Sequence, residues 1–104
     1  EKIIDCTDTS NNTIRLNSAD LTLPLYVRNK RNGDKIEVKG MNGTKKISDI
    51  FIDEKIKPSQ RSSWPVVLDS KDNIIWLPGL KKSKFDKKIS QEYDIILKYV
   101  KKEK

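Results

Sequence analysis

Leu21-Thr22-Leu23-Pro24-Leu25-Tyr26-Val27-Arg28-Asn29-Lys30-Arg31-Asn32-Gly33-Asp34-Lys35-Ile36-Glu37-Val38-Lys39 is the stretch from which the fold is read. Leu21, Leu23, Leu25 and Val27 alternate with Thr22, Pro24, Tyr26 and Arg28, the period-two pattern of a half-buried strand. Pro24 has no amide to give to a ladder, which points to a sheet edge or a bulge. Asn32-Gly33-Asp34 supplies turn chemistry, and Lys35 to Lys39 alternates again with Ile36 and Val38 inward, so the pattern predicts a hairpin. Such a hairpin sets Arg28, Lys30 and Arg31 close to Lys35, with Lys39 on the same polar face.

Downstream, Asn42-Gly43-Thr44 breaks the strand period, and Ile47, Ile50 and Phe51 recur at helical spacing. A short helix is expected to begin near Lys45 with Thr44 as its N-cap. Pro58 limits its continuation and is suited to open a second helical turn, Pro58-Ser59-Gln60-Arg61. Pro65 to Asp69 and Ile74 to Leu77 flank the turn residues Ser70-Lys71-Asp72-Asn73 and read as a second hairpin, closed by Pro78-Gly79. The β-branched and aromatic content of Tyr93 to Val100 favours a strand. A small antiparallel sheet with one or two short helices is an α+β domain. With 104 residues there is one domain and one modest core, taken as about residues 1–100 with a frayed basic tail at 101–104.

The chain has one Cys and no His. Ser-His-Asp and Cys-His nucleophile systems are therefore absent, as are histidine-ligated zinc sites and any internal disulfide. Cys6 is expected to be a buried strand thiol, in keeping with a reducing, cytoplasmic compartment. Glu1 leads straight into Ile3-Ile4-Asp5-Cys6, which reads as a strand already under way in a domain excised from a longer protein. The longest apolar runs, Val66-Val67-Leu68 and Ile74-Ile75-Trp76-Leu77, are too short to span a bilayer. Attachment to an anionic membrane surface lacks the basic amphipathic helix it needs.

Of the net charge of +7, residues 28–61 carry +5 and residues 81–104 carry +5, the rest being mildly acidic. Basic charge confined to two segments makes a local field suited to a polyanion. Gly40-Met41-Asn42-Gly43-Thr44-Lys45-Lys46 invites comparison with a phosphate-binding loop, yet it lacks the four residues between glycines and the Lys-Ser/Thr that loop requires. Lys45 and Lys46 at a helix N-terminus oppose its dipole, so they read either as splayed into water or as an anion site. Asp53-Glu54 and Asp69-Asp72 are carboxylate pairs with no catalytic pattern around them, and Trp64 and Trp76 sit in apolar runs that favour core packing over base stacking.

Four blocks, in order, carry a family likeness. They are Val27-Arg28-Asn29-Lys30-Arg31-Asn32-Gly33-Asp34; Gly40 to Lys46 with Asp49 to Ile56; Arg61 with Trp64-Pro65; and Ile75-Trp76-Leu77-Pro78-Gly79-Leu80-Lys81-Lys82-Ser83. Across about residues 21–86 the chain resembles the C-terminal domain of the tRNA(Ile)-lysidine synthetase family. Lys30 stands where arginine is common, and Lys57 separates Ile56 from Pro58.

The resemblance implies a parent ligase that uses ATP and lysine to convert the wobble cytidine of tRNA(Ile) to lysidine, in an N-terminal ATP-pyrophosphatase domain with a Ser-Gly-Gly-x-Asp-Ser loop that these residues lack. It implies a fold similar to a domain of the phenylalanyl-tRNA synthetase β subunit, and a non-catalytic role with no cofactor of its own. The implied partners are the acceptor region of tRNA(Ile), the parent's own N-terminal catalytic domain and, for the full-length protein, a second copy in a homodimer.

For RNA contact the expected residues are Arg28, Lys30, Arg31, Lys39, Lys45, Lys46, Arg61, Lys81 and Lys82, lining one face, with Asp34 and Asp49 orienting them or capping turns. The competing reading is a protein-docking module that packs on its catalytic domain or a partner subunit.

Overall fold

Strand Pro65–Leu68 and strand Ile74–Leu77 form the hairpin around which the computed structural model, describing residues 8–100, is built. In chain order the elements are β1 (Thr13–Leu16), a 3-10 turn (Ser18–Asp20), β2 (Tyr26–Asn29), β3 (Lys35–Ile36), β4 (Lys45–Lys46), α1 (Ile47–Asp53), α2 (Pro58–Arg61), β5 (Pro65–Leu68), β6 (Ile74–Leu77), β7 (Lys81–Lys82) and β8 (Ile95–Lys98). The tip of the β5–β6 hairpin closes on the Asp69 carboxylate, which accepts the Lys71 and Asn73 amides, both at 3.0 Å. Val67 faces Trp76 and Leu68 faces Ile74, so Ile75 is one residue too many and bulges. That bulge lets all four β6 residues be buried, two toward each side of the sheet.

The main sheet runs β2-β5-β6-β7, antiparallel throughout. It does not stop at β7. Val38 bridges Ser83, the Lys39 amide donates to the Lys82 carbonyl and the Lys84 amide to the Glu37 carbonyl, so the segment following β3 pairs against β7. On its other edge β3 pairs with β4. The result is a curved sheet whose inner side holds Ile36, Val38, Val66, Leu68 and Leu77 around Ile47, Ile50 and Phe51 of α1. On the outer side the β1–β8 ribbon lays Ile14, Leu16, Ile95 and Leu97 over Val67, Ile75 and Trp76. Each tryptophan is fixed by its ring N–H, Trp64 to the Pro78 carbonyl at 2.9 Å and Trp76 to the Asn11 carbonyl at 3.0 Å, as expected of core packing.

The predicted hairpin between the Leu21 stretch and Lys35–Lys39 is not formed. β2 pairs with β5 instead, Tyr26 opposite Leu68 and Asn29 opposite Pro65, while β3 takes β4 as its neighbour. Asn32-Gly33 does turn the chain, with Gly33 at φ 86° and the Asp34 amide donating to the Arg31 carbonyl. Leu21 to Leu25 precede the strand, held by the Ser70 amide on the Thr22 carbonyl and the Ser70 hydroxyl on the Pro24 carbonyl. The edge position that Pro24 suggested is where β2 lies. Val27, expected inward, is 68% exposed, with no described residue covering that end of the outer side.

Lys45 and Lys46 are strand residues, and α1 starts at Ile47, whose amide donates to the Asp34 carbonyl at 3.0 Å. Lys46, not Thr44, holds the cap position, and its side chain accepts nothing. The second helix opens at Pro58 as the sequence indicates, and Ile95–Lys98 is a strand. The expected strand at Ile3 to Cys6, the Cys6 thiol and the basic tail at 101–104 lie outside the described residues. Among those described, no helix is long and apolar enough to cross a membrane.

Candidate nucleic-acid interface

Side chains alternate across a strand, so Lys35, Glu37 and Lys39 share the outer side while Ile36 and Val38 point into the core. Cross-strand partners share a side as well. Lys46 stands opposite Lys35, Lys84 lies beside Glu37, and Lys82 lies beside Lys39. Five lysines thereby meet on one patch of the outer side, Lys35, Lys39, Lys46, Lys82 and Lys84. Lys35 to Lys39 covers about 13 Å at ~3.3 Å per residue.

Two carboxylates sit among them. Glu37 pairs with Lys84 at 2.9 Å, both half exposed. Asp86, buried, accepts Lys39 Nζ at 2.6 Å, lies 3.5 Å from Lys82 Nζ and takes the Arg15 amide at 3.1 Å on its other oxygen. Lys82 also donates to the Thr9 carbonyl. Asp86 thus fixes two ammonium groups at one point without neutralising both. Beside it a cleft of about 350 Å³ is lined by Arg15, Lys39, Lys82, Lys87 and Lys88. Lys87 is held by Asp20 at 2.9 Å.

Of the nine bases expected on one face, the structure gathers Lys39, Lys46 and Lys82 here. Lys30 and Arg31 lie in the turn that leads into Lys35. Lys81 shares the lining of a second cleft with Lys39 and Lys82. The others go elsewhere, for definite reasons. Val27, Val67, Trp76 and Lys82 form one cross-strand row, so Arg28, one residue off it, points to the opposite side.

Arg28 makes a two-pronged contact with Asp34, Nη1 to Oδ2 at 2.9 Å and Nη2 to Oδ1 at 3.0 Å. Burial pushes the Asp34 carboxyl up, but Arg28 and the Arg31 amide outweigh it and hold the group below the usual carboxylate range. Asp34 thus orients Arg28 and caps the turn at the Arg31 amide. Lys45 bonds Asp53, which raises its pKa, and Arg61 Nε is spent on the Ile56 carbonyl.

Lys35, Lys84, Lys87 and Lys88 are not among the nine bases expected from the sequence to touch RNA. Lys35 was visible as one of an alternating trio, but its pairing with Lys46 requires knowing that Gly40 to Gly43 turns the chain back on itself.

The model of the TilS substrate C-terminal domain matches residues 25–96. The chain belongs to that family. It is 47% identical over 95 residues to the tRNA(Ile)-lysidine synthase of Bacillus licheniformis, covering 90% of this chain and 20% of that protein. It is 48% identical over 80 residues to the bifunctional protein TilS/HprT of Listeria innocua, covering 77% of this chain and 12% of that one. A crystal structure of the TILS C-terminal domain superposes with a TM-score of 0.79 at 38% identity, covering 93% of this chain and 73% of that one. The TilS C-terminal domain thus spans about a fifth of the length of the synthase relatives it matches. It is a small antiparallel-sheet domain with two helices, where the sequence led to one or two, and what it matches is the C-terminal domain.

Proposed function

We propose that this domain grips tRNA(Ile) for a tRNA(Ile)-lysidine synthase, laying the patch of Lys35, Lys39, Lys46, Lys82 and Lys84 against the phosphate backbone of the acceptor region. Among the described residues, five ammonium groups against two carboxylates on one side of the sheet is the observation that carries this reading. A-form RNA hides its base edges in a narrow major groove, so a small rigid surface reads it through phosphates and 2′-hydroxyls. Lysines serve as point charges for that purpose, and Lys30 and Arg31 extend the track at the Lys35 end. ATP and lysine are used by the parent's catalytic domain, in the cytoplasm; this domain supplies affinity and placement. Of the remaining expected contacts, Lys81 borders the track beside Lys39 and Lys82, while Arg28, Lys45 and Arg61 are engaged away from it.

Salt dependence tests the reading. With about five phosphates neutralised, the logarithm of the tRNA association constant should fall against log salt with a slope of roughly −4 to −5. Filter binding or fluorescence anisotropy with tRNA(Ile) between about 50 and 300 mM salt measures it. A slope near zero, or no binding at the low-salt end, contradicts the proposal.

One observation favours the docking alternative on a different surface. Leu25, Val27, Pro65, Val67, Leu97 and Tyr99, with Lys98 as the one charged residue of the lining, form an apolar groove of about 370 Å³ on the outer side. It suits protein better than a polyanion, and a tRNA that leaves this groove unperturbed is compatible with both surfaces being used.

A further inference from the structure

Directly opposed like charges destabilise a strand pair, yet Lys35 and Lys46 are opposed in β3 and β4. The Ile47 amide donates to the Asp34 carbonyl, one residue beyond the pair on each strand. In an antiparallel ladder that makes Lys35 and Lys46 a non-hydrogen-bonded pair, the closer of the two kinds, with Cα atoms about 4.5 Å apart. Both side chains are exposed.

The nearby carboxylates are otherwise engaged. Asp34 is held by Arg28 and the Arg31 amide, Glu37 by Lys84 and Asp53 by Lys45. Among the described residues neither Lys35 nor Lys46 has an ion-pair partner. Lys46 is also poorly suited to its cap position, where an oxygen-bearing side chain would accept an amide. Ile36 and Ile47, next to the pair and fully buried, fix the two backbones, so the repulsion is not relieved by moving the strands apart.

We propose that Lys35 and Lys46 form a clamp for one phosphodiester, each ammonium taking one of its two non-bridging oxygens. The clamp rests on the tRNA-binding reading above and names the pair of residues that shares a single phosphate. It is held open in the free domain at a cost in stability, and RNA relieves that cost by supplying the missing anion.

The test uses Lys35→Ala, Lys46→Ala, the double variant and Lys46→Glu in the whole 104-residue chain. Thermal melts without RNA should rise by about 2–5 °C for each alanine variant. They should rise further for Lys46→Glu, which sets a carboxylate opposite Lys35. Binding to tRNA(Ile) should weaken about tenfold for either single alanine variant, and the magnitude of the salt slope should drop by about 1.

The double variant should lose about as much slope as either single one, because only one phosphate is released. Slope losses that add to about 2 mean two separate phosphates and overturn the clamp. A fall in melting temperature on either alanine substitution overturns it too, as does unchanged binding by variants when the unmutated chain binds. Failure of the unmutated chain to bind tRNA instead defeats the tRNA-binding reading itself, and the clamp with it.

Discussion

Asp69→Ala is expected to lower the stability of the domain by about 3 kcal/mol, a fall of roughly 12–24 °C in melting temperature. The carboxylate is 2% exposed and takes four donors. The Lys71 and Asn73 amides close the β5–β6 hairpin on one oxygen, and the Asn73 side chain and the Thr22 amide reach the other. It therefore holds both the central hairpin tip, where Asp72 adopts a positive φ, and the irregular Leu21–Leu25 approach to β2. Alanine leaves four donors without their acceptor at a partly buried hairpin tip, whereas asparagine keeps the shape and loses the charge, so Asp69→Asn should cost less.

The pH dependence has a definite sign. Burial pushes the Asp69 carboxyl up, but the hydrogen bonds from Asn73, Thr22 and Lys71 outweigh it and hold it below the usual range. A carboxylate depressed by folding contributes its stability in full above the unfolded-chain value near ~4 and loses it as pH falls through the lower folded value. Melts of the unmutated chain should therefore drop on acidification over that window, and melts of Asp69→Ala should drop less. A variant that melts within a few degrees of the unmutated chain at neutral pH contradicts this account of the hairpin.

Asp86→Ala should show the second large effect. Asp86 is the single buried carboxylate between Lys39 and Lys82, and it also holds the Arg15 amide at the start of the ribbon that covers Trp76. Removing it leaves Lys82, itself mostly buried, facing Lys39 with no counter-charge, a loss of about 3 kcal/mol on the scale of broken buried pairs. An added anion binds where the carboxylate was and stabilises the folded form by mass action. Melts of the variant should thus be raised by phosphate well beyond chloride of equal ionic strength, and melts of the unmutated chain much less. Equal responses to the two salts would show that Asp86 does not set the charge balance of the cleft.

The parts of this fold that were legible in the sequence are those decided locally. Proline at Pro58 opens α2, and Asp69 with Asn73 between two β-branched runs makes the hairpin. The β-branched and aromatic residues near Ile95 make β8. What failed was partner choice. Period-two alternation tells which residues share a side of a strand but not which strand lies beside it, and β2 reaches across to β5 rather than to its neighbour in sequence.

The same limit governs the candidate site. Alternation placed Lys39 beside the polar residues of its own strand, but only the sheet order brings Lys82 to it on one edge and Lys46 to Lys35 on the other. Arg28 looked equivalent to Lys39 in the sequence. It differs because it lies three strands away from Lys82, about 14 Å at ~4.8 Å per strand, and one residue off the shared row. Lys45 and Lys46, adjacent in sequence, end on opposite sides of β4 for the same reason that any two neighbours in a strand do.

The most direct test of the basic patch is a titration of the isotope-labelled chain with tRNA(Ile), followed by backbone amide resonances. Shifts or broadening should concentrate at Lys35–Lys39, Lys45–Ile47 and Lys82–Lys88 and spare the apolar groove of Val27, Leu97 and Tyr99. Perturbations centred on that groove or on the acidic end of α1, with Lys35, Lys39, Lys46 and Lys82 unmoved, would contradict the account.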